Sequence, residues 1–216
     1  MFDWLKSKIA APEAEPKPAA PEVLGLRLGG AVELNELKLR LLDDQLITDN
    51  IAKTQLIQAV GQVKLDASNT ILRFYTDDEA FFQVVMTGGV GDEFVSDVKL
   101  FHFYSTVGVN SRNDWEKTLR DVSQPSWALE EKSFQRVWGA VGDNPPMAMT
   151  EETFTQDSSG ERTDQFIMLY ELATSAELSE FVLVSAEEKI INHQHDRCLV
   201  ISTGINLGMA DFEVIG

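Results

Sequence analysis

The stretch TILRFYTDDEAFFQVVM, residues 70–86, sets two β-branched and aromatic runs on either side of three acidic residues, Asp77, Asp78 and Glu79. Runs of this kind suit a pleated strand whose side chains alternate between faces, and a short polar break between them turns the chain back on itself. A hairpin is therefore expected here. Similar signals fill most of the remaining chain. LIQAVGQVKL at 56–65, with Gly61 a candidate bulge, FVSDVKLFHFYSTVGV at 94–109 and FQRVWG at 134–139 read as strands. So do MAMTEETFTQ, TDQFIMLYEL, EFVLVSAEE, KIINHQ and CLVIST further on. LKLRLL at 37–42 is grouped with them. One stretch, SRNDWEKTLRDVS, reads as helix, with Ser111 or Asn113 as N-cap and Trp115, Leu119 and Val122 at helical spacing. The links between strands are too short for parallel crossovers. The expected fold is mainly β (α+β): a mostly antiparallel sandwich or strongly bent sheet with one or two short helices.

Three segments are expected along the chain. Residues 1–10, MFDWLKSKIA, form an amphipathic tip. Residues 11–22 hold Pro12, Pro16, Pro18 and Pro21, which favour extended polyproline geometry and make a semi-rigid linker. Alternation of Leu24, Leu26 and Leu28 then opens one β-rich domain over 23–216, with a possible subdomain break near 142–146.

Lys plus Arg number 18 against 35 for Asp plus Glu, a formal charge of -17 that repels a phosphate backbone. Nucleic acid is therefore not an expected partner. Cys198, the sole cysteine, excludes an intrachain disulfide and stands in the apolar run RCLVIST, where it is expected to pack as a small hydrophobe. No run approaches the ~18 apolar residues of a membrane span. Asp3, Lys6 and Lys8 break the continuity a signal peptide requires, so the expected compartment is the cytoplasm.

Candidate chemistries are few. GGVGDEF at 88–94 resembles a cyclase signature at a glance, yet Val90 and Gly91 separate the paired glycines from the acidic residues. A flexible loop is the better reading. Phosphate loops, dinucleotide fingerprints and nucleophile elbows are absent. His193 and His195 share a strand face in INHQHDRC and, with His102, are the weak candidates for a metal site. The adjacent carboxylates Glu151-Glu152 and Glu187-Glu188 alternate faces and read as solvated edges. No catalytic residue and no cofactor is assigned.

LGLRLGGAVELNELKLRLL, RFYTDDEAFFQV, FQRVWG and LYEL leading into FVLVSAEE together resemble the YjfK-like family of bacterial proteins of unknown function. The resemblance covers most of 24–215 and implies a bacterial cytosolic protein. It also suggests a link to membrane-associated coiled-coil proteins and small membrane proteins. The expected function is a non-catalytic interaction module whose tip, through Phe2, Trp4, Leu5 and Ile9, docks an unknown protein partner, or makes at most weak peripheral membrane contact. The alternative is an enzyme or small-ligand or metal binder with an unrecognised site.

Overall fold

The structure, a computed structural model, describes residues 19–42, 46–48, 51–139, 145–174, 178–191 and 194–216. In chain order these residues form β1 (Ala31–Leu34), α1 (Glu36–Leu42), β2 (Thr54–Lys64), β3 (Asn69–Thr76), β4 (Ala80–Thr87) and β5 (Val95–Gly108). They continue with α2 (Arg112–Val122), β6 (Ser126–Leu129), β7 (Lys132–Arg136), β8 (Met147–Thr155), β9 (Ser159–Ala173), β10 (Ser179–Ile191), β11 (Gln194–Asn206) and β12 (Phe212–Val214).

Strands β2 to β5 make one antiparallel meander and β8 to β11 a second. Stacked face to face with free edges, these would be the expected sandwich. Instead both pairs of edges are hydrogen-bonded. β5 runs antiparallel to β11 from Lys99↔Asn206 to Gly108↔Cys198, and β2 to β8 from Ala59↔Thr155 to Val63↔Glu151. The result is a closed eight-stranded antiparallel barrel, not an open sandwich or bent sheet. Closure needs strong local bending. Register shifts at Ile57/Ala59, Val85/Met86, Ile201/Ser202 and Thr153/Phe154 supply it. Gly61 is not at one of them, because it pairs regularly with Arg73 on one side and Thr153 on the other.

A closed wall has two faces, and here both bury apolar side chains. Inside, Val63, Ile71, Phe81, Phe101, Ile167, Leu169, Phe181 and Leu183 form one cluster. Outside the first meander, Leu72, Phe74, Phe82, Val84 and Leu100 are covered by Val23, Leu26, Val32 and Leu34. Outside the second, Met168, Tyr170, Val182 and Val184 pack under Trp115 and Val122 of α2 and Phe134 of β7. β1 and β7 extend the wall by pairing with β2 and β9 beyond the ends of β8. The Ser111 hydroxyl caps α2 by accepting from the Asp114 amide at 3.0 Å.

The leucine-rich run at 37–42 is helix α1, not strand. Asn35 explains the difference, for its Oδ1 accepts from the amides of Leu37 and Lys38 and satisfies two unpaired donors of the first turn. Glu36 and Arg40 add an ion pair one turn apart. In GGVGDEF, Phe94 packs over Gly89 and Asp92 Oδ1 accepts from the Leu24 amide at 2.7 Å, so the acidic residue ties down the segment before β1. No helix among the described residues is long and apolar enough to cross a membrane.

Candidate functional site

Alternation along β3 sends Leu72, Phe74 and Thr76 outward and Ile71, Arg73 and Tyr75 into the barrel. Arg73 is 2% exposed and Glu151, facing it from β8, 3%. The Arg73 Nη1 donates to Glu151 Oε2 at 2.6 Å and to Gln165 Oε1 at 2.7 Å, while Nε donates to Gln83 Oε1 at 3.0 Å. Tyr75 donates its hydroxyl to Glu151 Oε1 at 2.7 Å. The Arg73 Nη2 has no hydrogen-bond partner among the described residues. A buried ion pair needs this density of hydrogen bonds, because removing two charges from water costs several kcal/mol on the order of their attraction. Burial is the largest influence on Arg73 and works against its charge, but Glu151, Tyr75 and Glu187 together outweigh it and hold the guanidinium above its ordinary range.

The network continues toward one end of the barrel. Gln165 Nε2 donates to Glu187 Oε1 at 3.2 Å and lies 3.4 Å from Glu151 Oε2, so one amide links two carboxylates. Ser185 donates to Glu187 at 3.1 Å. Burial, reinforced by the Glu151 charge, pushes the Glu187 carboxyl above the usual carboxylate range. Burial and Glu151 also push the Tyr75 phenol well up.

Above these groups the barrel opens into a cavity of about 440 Å³, within the range of small-molecule sites. Its wall includes Glu151, Gln165, Glu187, Lys189, Thr106, Thr153 and Thr163, with Ala59, Tyr75, Phe103, Cys198 and Val200 as the less polar part. Tyr75 and Phe103 stand nearly parallel, their ring centroids 6.3 Å apart. The far end of the barrel interior is closed by the apolar cluster, with Lys99 Nζ 4.7 Å from the Phe181 ring. A half-buried thiol, Cys198, faces the cavity, its pKa pushed up to about 11 by burial and by the charges of Glu187 and Asp196.

The paired carboxylates do alternate faces, as strand geometry requires. The expectation of solvated edges fails on what those faces meet. In a closed barrel one face is the interior, so Glu151 and Glu187 are not solvated edges, whereas Glu188 lies on the outside with His195 and Arg197. Arg73, Gln83 and Lys99 each interrupt an apolar strand run, and this was the available signal for a polar interior.

His102 and His195 are not brought together. His102 faces out of the barrel, buried, with Nε2 3.4 Å from Asp78 Oδ2 and without hydrogen-bond alignment. Burial lowers its pKa, an effect that Asp78 partly offsets, so the ring is neutral near pH 7. His195 is half exposed, with Nδ1 3.0 Å from Glu188. The cross-strand partner of His102 is Thr203, eight residues along β11 from His195, a separation of roughly 27 Å at strand rise. His193 lies outside the described residues, as do Phe2, Trp4, Leu5 and Ile9. Among the described residues no group of three His, Cys, Asp or Glu is placed to hold a metal ion.

The "Uncharacterized protein YjfK" of Escherichia coli (strain K12) is 26% identical to this chain over 206 residues, covering 93% of this chain and 94% of that protein. No solved structure matches. The model of the family described as "Protein of unknown function (DUF2491)" matches residues 1–213, and the chain belongs to that family.

Proposed function

We propose that this chain is a non-catalytic binding module that holds one small polar molecule in the mouth of its barrel. The observation that carries this reading is the cavity of about 440 Å³ set directly over a buried charged network. A barrel serving only as a platform for a tethered tip gains nothing from interior charges. Replacing a buried ion pair by well-packed apolar residues is often neutral or stabilising. Natural chains keep such groups chiefly where a site uses them.

Binding is favoured over catalysis by the state of the groups in the mouth. Glu151 is held by Arg73 and Tyr75, and Tyr75 and Cys198 titrate far above neutrality, which leaves neither a phenolate nor a thiolate as nucleophile, while Glu187, the carboxylate there without a cation, suits holding a positive charge. Ligand-observed NMR against a mixed library of small amines, acids and polyols tests the reading. The expected result is a set of binders lost in Ala59→Trp, which fills the mouth, while the variant melts within a few degrees of the native protein. An empty screen, or binders that persist in Ala59→Trp, would refute it.

A further inference from the structure

We infer that the molecule taken by the mouth is a small organic cation, an amine or guanidine, whose charged head pairs with Glu187 and whose body lies along Tyr75 and Phe103. This rests on the reading of the mouth as a ligand site and names the class of its occupant.

The two interior carboxylates are unequal. Glu151 already has a guanidinium at 2.6 Å and a phenol at 2.7 Å. Glu187 has only neutral donors, the Ser185 hydroxyl and the Gln165 amide, and among the described residues no basic nitrogen lies within ion-pair distance of it. Lys189, two residues on and on the same face, points its ammonium to the rim, 4.0 Å from Glu161, and is 41% exposed. Its charge reaches Glu187 only weakly. A partly buried carboxylate without a counter-charge is costly, and a ligand cation removes that cost on binding.

The wall agrees with a cationic head. The parallel Tyr75 and Phe103 rings offer π faces to a cation or a flat body, and Thr106, Thr153 and Thr163 offer hydroxyl acceptors for its remaining N–H groups. The charge of -17 over the whole chain raises the local concentration of cations at the surface. An anionic ligand would meet Glu187 and Glu151, with Lys189 at the rim and Arg73, already paired with Glu151 below the cavity, to compensate.

Calorimetry with tyramine, its neutral isostere tyrosol and the anion 4-hydroxyphenylacetate keeps the ligand body constant while changing the head. The expected result is tyramine binding about 10-fold or more tighter than the other two. That preference should disappear in Glu187→Gln, an isosteric change that keeps both hydrogen bonds, and should grow in Lys189→Met, which removes a repelling charge. Preference for 4-hydroxyphenylacetate, weakened by Lys189→Met, would overturn the cation assignment and leave the ligand site standing. Equal affinity for all three, or binding of none, would overturn it too. The library screen with Ala59→Trp decides separately whether the mouth is a ligand site at all.

Discussion

Glu187 has a cost that the rest of the interior does not share. Its carboxyl titrates above the ordinary range because burial and the Glu151 charge disfavour ionisation, with Ser185 giving partial relief. The folded chain therefore holds this proton more tightly than the unfolded chain. Its contribution to stability is complete below the unfolded pKa, near 4.3, and is lost as pH rises through the folded value. At pH 7 the group destabilises the fold. Glu187→Gln is accordingly expected to raise Tm at pH 7, and the gain should shrink to nothing by about pH 4, as thermal melts across that range would record. A Tm at pH 7 that is unchanged or lower would mean that the carboxylate is better solvated than the geometry places it. The same substitution is expected to weaken cation binding, which is the usual opposition between stability and a working site.

The elements that most decide the architecture are the two seams, and the β2–β8 seam rests on a single small residue. Gly61 pairs with Thr153 across the seam, and a Cβ there would overlap the Glu151 carboxylate inside the barrel. Gly204 does the same for the Phe101 ring on the other seam. Gly61→Ala is expected to destabilise the protein by about 1–3 kcal/mol in urea unfolding, since Glu151 is held by Arg73 and Tyr75 and has little room to give. A change below about 0.5 kcal/mol would show that Glu151 does not sit against β2. The strands themselves were legible, because period-two runs separated by Asp, Gly and Asn are local signals. Asp66, for example, accepts from the amides of Ser68 and Asn69 and so forms the turn between β2 and β3. The seams were not legible. Val63 meets Glu151 and Lys99 meets Asn206 across long stretches of chain, and nothing local to either partner marks the pairing. The helix at Glu36–Leu42 was hidden for a different reason: its leucines fit either period, and the cap at Asn35 decided the outcome.

At the scale of the whole molecule, the closed wall is what turns scattered polar residues into a site. Arg73, Glu151, Gln165 and Glu187 come from β3, β8, β9 and β10, and only closure places them around one axis. Arg73 could be noticed in the sequence as a polar residue in an apolar run, whereas Glu151, Gln165 and Glu187 stand beside other polar residues, and the convergence of the four follows from the β2–β8 pairing. Outer layers then bury the wall's other face, so the barrel presents its interior to solvent through the mouth lined by Cys198. Because Cys198 is the sole cysteine of the 216 residues, its alkylation reports on that mouth without engineering. The most direct test is the alkylation rate of Cys198 against pH, with and without tyramine. With the thiol pKa pushed up to about 11, the expected rate at neutral pH is roughly 100-fold below that of a free thiol. It should climb as pH approaches 11, and saturating tyramine at neutral pH should slow it about 10-fold further. A rate equal to that of a free thiol, unchanged by tyramine, would contradict a ligand-holding mouth at this end of the barrel.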